Sequence, residues 1–315
     1  MPAVRRSSQN ANFFTGLEIQ KHNPRPATGG FLNIKAYAKI NLFLDITGKR
    51  PDGYHDIVSV MQTVDLHDDL TFCRTVNSRG FSLVSGDKDI PDNIVTRAAK
   101  HMIQKYRIDE SFEIRLTKRI PIGAGLAGGS ADCAAAIIGI NEFFGINADV
   151  EELIGIAQSL GADVPFCLYG GIRLAEGIGE KLTELPPHPD CFIVLAYPDI
   201  AVSTKAVFEK FIVKNPNSTG LKKILAALYN NDLTEVALSL YNVFEDLTSQ
   251  EFPIIKRLIQ ELKTCGAIGA SMTGTGSAVY GYFAEESAAI KASNALSNLA
   301  KTYMVRPICG RELIS

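Results

Sequence analysis

Pro121-Ile122-Gly123-Ala124-Gly125-Leu126-Ala127-Gly128-Gly129-Ser130-Ala131-Asp132 stands between two runs of opposite texture. Before it, Phe112, Ile114, Leu116 and Ile120 fall on one face while Glu113, Arg115 and Thr117 fall on the other, the pattern of a half-buried strand. After it, Cys133 to Phe144 is almost solidly small and apolar and stops at Gly145, which predicts a buried helix with a glycine end signal. The order is strand, glycine loop, helix.

Glycines in such a loop leave main-chain N–H groups free to point at a common centre, and the helix start adds unpaired amides and the positive end of its dipole. That is an anion site, most often for phosphate. Ser130 stands where its hydroxyl either caps the helix or touches the phosphate. The plainer alternative is a glycine turn that lets the helix pack closely on a sheet. Two nucleotide templates fit badly. Gly123-x-Gly125-x-x-Gly128 matches a dinucleotide fingerprint, but the acid expected about twenty residues on should end a second strand, and the region near Glu142 reads as helix. No Gly-Lys-Ser/Thr triplet follows Gly129, which excludes the Walker form.

With 315 residues and 46% apolar content, the chain is long enough for two domains with real cores. A formal net charge of −2 argues against a general nucleic-acid or anionic-membrane binder. No apolar run approaches the roughly 20 residues that span a bilayer, and no secretory core opens the chain, so a cytoplasmic protein is expected. Cys73, Cys133, Cys167, Cys191, Cys265 and Cys309 are scattered without a C-x-x-C pair or a histidine at ligand spacing. They read as reduced thiols, and no protein-held metal is expected; metal chemistry would arrive with a phosphate substrate.

Residues 1–30 have little hydrophobic periodicity and read as a disordered extension. Arg5, Arg6, Lys21 and Arg25 against the single Glu18 also fit an organelle transit peptide. From Leu32 to Ile46 every even position is apolar, the clearest strand signal in the chain. It sets Lys39 and Asn41 together on the other face, as a solvated surface or as something more specific. Thr47 to His55 is a turn cluster in which Tyr54 can stack a base and His55 or nearby backbone can read its edge. Val58–Val64 and Leu70–Phe72 read as two strands, Asn93–Tyr106 and Asp149–Leu160 as helices. Asp163, between Gly161 and Pro165, either forms an Asx turn or is held toward a cleft. Pro186 to Pro189 looks like a boundary, giving domains over 31–188 and 189–315. The second half alternates helices with separated strands around Met272-Thr273-Gly274-Thr275-Gly276-Ser277, as in a two-layer α+β domain of ferredoxin-like kind.

Ala38-Lys39-Ile40-Asn41-Leu42, the loop from Pro121 to Ser130, and Thr273-Gly274-Thr275-Gly276-Ser277 resemble, in that order, the three motifs of the small-metabolite kinases that include galactokinase, homoserine kinase and mevalonate kinase. The blocks Thr47 to His55 and Gly161 to Phe166 narrow the resemblance to a branch whose substrate is a cytidine-diphosphate-linked polyol. The resemblance runs from about Asn33 to the C-terminus and implies the two-domain α+β fold of these GHMP kinases: an N-terminal half like the second domain of ribosomal protein S5 and a ferredoxin-like C-terminal half. It implies ATP with Mg²⁺ carried on it, transfer of a phosphoryl group to an alcohol, and action as a monomer or weak homodimer. By position it makes Lys39 and Asp163 the catalytic pair, Pro121 to Ala131 the ATP loop, and Asn41, Tyr54, His55, Phe208, Thr275 and Gly276 the substrate side. Two positions depart from the family pattern, Ala127 for a glycine and Ala131 for a second serine, and both bear on nucleotide affinity. A nicotinamide dehydrogenase, a binding module without activity, and a sister kinase for another small alcohol are the alternatives.

Overall fold

The computed structural model describes residues 19–20, 30–75, 80–86, 93–213 and 215–308. The first half contains β1 (Ile19–Gln20), β2 (Phe31–Lys49), β3 (His55–Arg74), β4 (Phe81–Val84), α1 (Ile94–Tyr106), β5 (Phe112–Thr117), α2 (Gly128–Phe143), α3 (Val150–Leu160), α4 (Val164–Tyr169), β6 (Ile172–Gly177) and β7 (Lys181–Glu184). The second contains β8 (Phe192–Tyr197), α5 (Thr204–Lys210), α6 (Ser218–Tyr229), α7 (Leu233–Leu238), β9 (Tyr241–Asn242), α8 (Glu245–Glu251), α9 (Ile254–Thr264), β10 (Ala270–Met272), β11 (Val279–Phe283), α10 (Glu286–Leu296) and β12 (Lys301–Val305).

One sheet runs β1-β2-β3-β5-β4, with β6 and β7 continuing from another stretch of β3 and β9 lying parallel to β2. The other is antiparallel in the order β10-β11-β8-β12. This is the α+β architecture expected, but the halves are not separate bodies. β9 comes from the second half and pairs with the first, and Pro307 bridges to Val64. One apolar cluster carries Ile40, Phe43 and Val60 from the first half with Leu195, Tyr280 and Tyr282 from the second.

The expected extension over residues 1–30 lies outside the described residues except at its end and at Ile19–Gln20, which pair with Ile34 and Asn33, so strand pairing starts before Leu32. The two strands expected between Val58 and Phe72 are one, β3, bent to pair with β6 at one end and β5 at the other. The surface expected on β2 is also corrected. Tyr37, Lys39, Asn41, Phe43 and Asp45 are all buried, because the second half covers the face that a lone sheet would leave in water. Register shifts between Tyr37 and Lys39 and between Asn41 and Phe43 kink the strand there.

α2 is apolar on all sides and packs among β2, β3, α1, α3 and α4. Gly139 permits the closest of these contacts, since a Cβ there would lie 2.0 Å from the Phe72 ring. Local signals set the flanking helices. Asn93 accepts from the Val95 amide to start α1, and Asp149 accepts from the Glu152 amide to start α3.

Candidate active site

The glycine loop is held from behind by its carbonyls. Gly123 O accepts from the Val202 amide, Ala124 O from the Ala278 amide, and Leu126 O from the Lys39 amide. Thr273 Oγ1 donates to Gly125 O at 3.2 Å. Gly125, at φ +79°, has no room for a side chain, because a Cβ would lie 2.2 Å from Thr273 O. The two glycine clusters therefore interlock backbone to backbone. Beyond them Ala127 takes a left-handed conformation, φ +56°, and starts α2 with no side-chain cap. The first helical bond reaches from the Ala131 amide to Ala127 O, which leaves the amides of Gly128, Gly129 and Ser130 outside the helical ladder, at the positive end of its dipole.

This corrects one expectation for Ser130. It sits in the first turn instead of at the cap, which is Ala127. Ala131 is also displaced from its expected place: it is buried in the core against α2's neighbours and does not line the cavity.

Lys39 and Asn41 lie under the loop. Lys39 is 4% exposed and Asn41 2%. Lys39 Nζ donates to Asn41 Oδ1 at 2.7 Å, reaches Gly125 O at 3.4 Å, and stands 3.7 Å from Asp163 Oδ2. Asn41 Oδ1 also accepts from the Gly274 amide at 3.0 Å and from Thr273 Oγ1, while its Nδ2 donates to Ser59 Oγ at 2.9 Å. The main chain of Asn41 is pinned as well, its N–H to Thr273 Oγ1 and its carbonyl by Tyr280 OH at 2.7 Å. Asp163 opens α4, and its side chain caps no amide. The Asx-turn alternative therefore has no hydrogen bond behind it, and the carboxylate faces Lys39.

These groups line one cavity of about 760 Å³ that continues to Gly53, Tyr54, His55, Phe208 and Thr275. Tyr54 is 62% exposed at the mouth, and the His55 ring lies 5.5 Å from that of Phe208. His55 Nε2 is buried with no hydrogen-bonding partner among the described residues. Burial and the Lys49 ammonium push this imidazole below its ordinary range, so at pH 7 it is neutral, with one ring nitrogen to donate and one to accept. Thr275 Oγ1 is 3.2 Å from Thr204 Oγ1. Gly276 does not reach the cavity; a Cβ there would meet Met272 and Thr248 in the packing behind it.

Three residues without an expected role belong to the same wall. Lys118 and Asp132 line the cavity beside Gly128, and Asp68 lies behind them. The visible signal was a lysine and an aspartate flanking the glycine loop at both ends; Asp68 is 50 residues away from Lys118 and had none. Among the described residues no group of three or more His, Cys, Asp or Glu side chains is gathered to hold a metal ion. None of their helices is long and apolar enough to cross a membrane.

Known proteins share this fold. The family model for the GHMP kinases N terminal domain matches residues 93–171, and that for GHMP kinases C terminal matches residues 224–302. The chain is 40% identical over 289 residues to the 4-diphosphocytidyl-2-C-methyl-D-erythritol kinase of Caldicellulosiruptor saccharolyticus, covering 90% of this chain and 98% of that one. It is 41% identical over 268 residues to the enzyme of the same name from Lachnoclostridium phytofermentans, covering 83% and 91%. A crystal structure of 4-(cytidine 5'-diphospho)-2C-methyl-D-erythritol kinase superposes with a TM-score of 0.74 at 28% identity, over 87% of this chain and 98% of that one. Homoserine kinase from Cytophaga hutchinsonii superposes equally well, at 0.74 over 92% and 99%, but at 21% identity that likeness concerns the fold alone.

Proposed function

The chain belongs to the 4-diphosphocytidyl-2-C-methyl-D-erythritol kinases of the GHMP family, and from that premise we propose how its cleft works. The reaction is ATP-dependent phosphorylation of the 2-hydroxyl of 4-diphosphocytidyl-2-C-methyl-D-erythritol, a step of non-mevalonate isoprenoid precursor biosynthesis. The observation that carries the mechanism is the Lys39–Asp163 pair, 3.7 Å apart between the glycine loop and the aromatic end of one cavity.

Asp163 accepts the proton of the attacking hydroxyl. Lys39, fixed by Asn41, lowers the pKa of that hydroxyl and balances charge on the transferring phosphoryl group. The amides of Gly128, Gly129 and Ser130 and the α2 dipole hold the β- and γ-phosphates of ATP. Bound on the triphosphate, Mg²⁺ would supply charge neutralisation beside the amides of Gly128, Gly129 and Ser130. At the other end Tyr54 and Phe208 clamp the cytosine ring, and His55, with its unpartnered Nε2, hydrogen-bonds the base edge.

A competition assay tests this reading against a sister kinase for another small alcohol. CMP and CDP should compete with the polyol substrate and leave the KM for ATP unchanged. Absence of competition, with turnover intact, would move the base-binding role away from Tyr54 and His55.

A further inference from the structure

Lys118, Asp68 and Asp132 form a buried cluster with one cation and two carboxyl groups, in which the two acids are treated very unequally. Asp68 is fully buried, and its Oδ1 accepts from the amides of Arg119 and Ile120 while its Oδ2 accepts from Lys118 Nζ at 2.5 Å. Both oxygens of Asp68 therefore have donors. Asp132 is 3% exposed; its Oδ2 accepts from Lys118 Nζ at 2.6 Å, but its Oδ1 has no hydrogen-bonding partner among the described residues. An anionic oxygen left bare in that position is costly. Burial, with the Asp68 charge added, pushes Asp132 well above the usual carboxylate range despite Lys118. When two acids share one lysine, the proton goes to the one with fewer donors.

The cluster adjoins the phosphate loop. Lys118, Gly128, Gly129, Ser130 and Asp132 line the same part of the cavity, and a Cβ on Gly128 would lie 3.4 Å from Lys118 Nζ. The other titratable groups nearby are Lys39 on β2, Asp163 and Cys167 at α4, Cys133 beside Asp132 on α2, and Arg97 on α1, which acts on Cys133. Burial holds both thiols above their ordinary range.

We propose that Asp132 is a positioning residue for the nucleotide: with its carboxyl protonated and docked on Lys118 it leaves the loop free to take a polyphosphate, so nucleotide binding draws a proton from solvent onto Asp132. The inference rests on the reading of the loop as the nucleotide site. Ionised Asp132 adds a second negative charge beside the incoming phosphates and competes with them for the Lys118 charge; the protonated form, hydrogen-bonded to Lys118 through Oδ2, adds no charge and leaves more of the lysine's for the phosphates. The balance is one proton gained by the carboxylate on binding and one returned on release.

Calorimetry with MgADP tests this. At pH 8.5, titrations in two buffers of different ionisation enthalpy should report uptake of up to one proton by the wild type. Its Kd should rise by up to about tenfold for each pH unit above the point at which Asp132 ionises, the slope of one linked proton. Asp132→Asn mimics the protonated side chain and should show no uptake and a Kd that stays level over that range. Tight MgADP binding by the wild type without uptake, or uptake that persists in Asp132→Asn, overturns the proposal. Failure of MgADP to bind at pH 7 overturns the nucleotide reading itself. Should the variant not fold, ¹³C-carboxyl-labelled wild type supplies the same decision: one aspartate resonance should titrate in the alkaline range and stop titrating when MgADP saturates. No such resonance refutes the role.

Discussion

Asn41 is the residue on which the chemistry turns, although it touches neither transferred atom. Its Oδ1 gathers Lys39 Nζ, the Gly274 amide and Thr273 Oγ1, so the ammonium position is fixed by a side chain whose main chain is itself held at both ends. A lysine so ordered has lost its rotamer entropy in advance, which is what preorganised charge stabilisation requires. Among the described residues Asp163 has no comparable set of partners beyond Lys39, which leaves its carboxylate able to face a hydroxyl. Asp163→Asn keeps size and one oxygen but removes the basic site. It should lower kcat by roughly 10² to 10⁴ while the Kd for substrate changes by a few-fold at most. Near-normal turnover in a folded Asp163→Asn protein would show that the base lies elsewhere. At the far end of the cavity Tyr54 is mostly in water, so its loss leaves no core defect. Tyr54→Ala should weaken the cytidine substrate by about 1 to 3 kcal/mol and leave ATP binding alone, as measured by separate titrations. Equal weakening of both ligands would mean that the ring supports the loop instead.

At the scale of elements, β2 and α2 carry the design. β2 passes through all three apolar clusters, from Leu32 and Ile34 to Ile40 and Leu42 and then Leu44 and Ile46. Its alternation was plain in the sequence, yet periodicity reports only the face that is apolar. The opposite face is buried by residues far along the chain, Gly125 and Asp163 at Lys39 and Thr273 and Tyr280 at Asn41, and nothing local announces that. The glycine loop and the helix after it were legible for the same reason that they function: both follow from composition over a dozen residues. The left-handed start at Ala127 was not, since alanine ordinarily avoids φ +56°. Lys118 and Asp132 flank the loop in plain view, but their meeting with Asp68 depends on pairing between β3 and β5 and was hidden. Gly139 offers a test at this scale. Gly139→Ala improves intrinsic helix propensity but drives a methyl into the Phe72 ring, and the clash should prevail, lowering stability by about 1 to 3 kcal/mol in urea unfolding. A stabilised variant would mean that α2 can slide away from the sheet.

Across the whole molecule the two halves share two of the three apolar clusters, and the site is built from both: the loop and Lys39 come from the first, Thr273, Gly274 and Thr275 from the second. His188, at the expected boundary, shows how tight the junction is. It is buried, stacked on Tyr282, with Nδ1 bonded to Pro189 O at 2.6 Å and Nε2 to Tyr282 OH at 3.0 Å. Burial pushes its imidazole down to about 4, so the folded protein keeps it neutral while the unfolded chain protonates near 6.5. Its contribution is intact above pH 6.5 and is lost as pH falls toward 4, to a total of about 3 kcal/mol. His188→Gln should flatten that part of the stability profile, and an unchanged acid slope would remove His188 from it. The claim on which the account depends most is that this shared cleft phosphorylates a cytidine-linked alcohol, and ³¹P NMR of the purified protein with MgATP and 4-diphosphocytidyl-2-C-methyl-D-erythritol tests it directly. The account predicts one new phosphomonoester on the 2-hydroxyl for each ADP formed, with homoserine and mevalonate left unphosphorylated; ADP formation without that ester, or comparable transfer to either of the other alcohols, would contradict it.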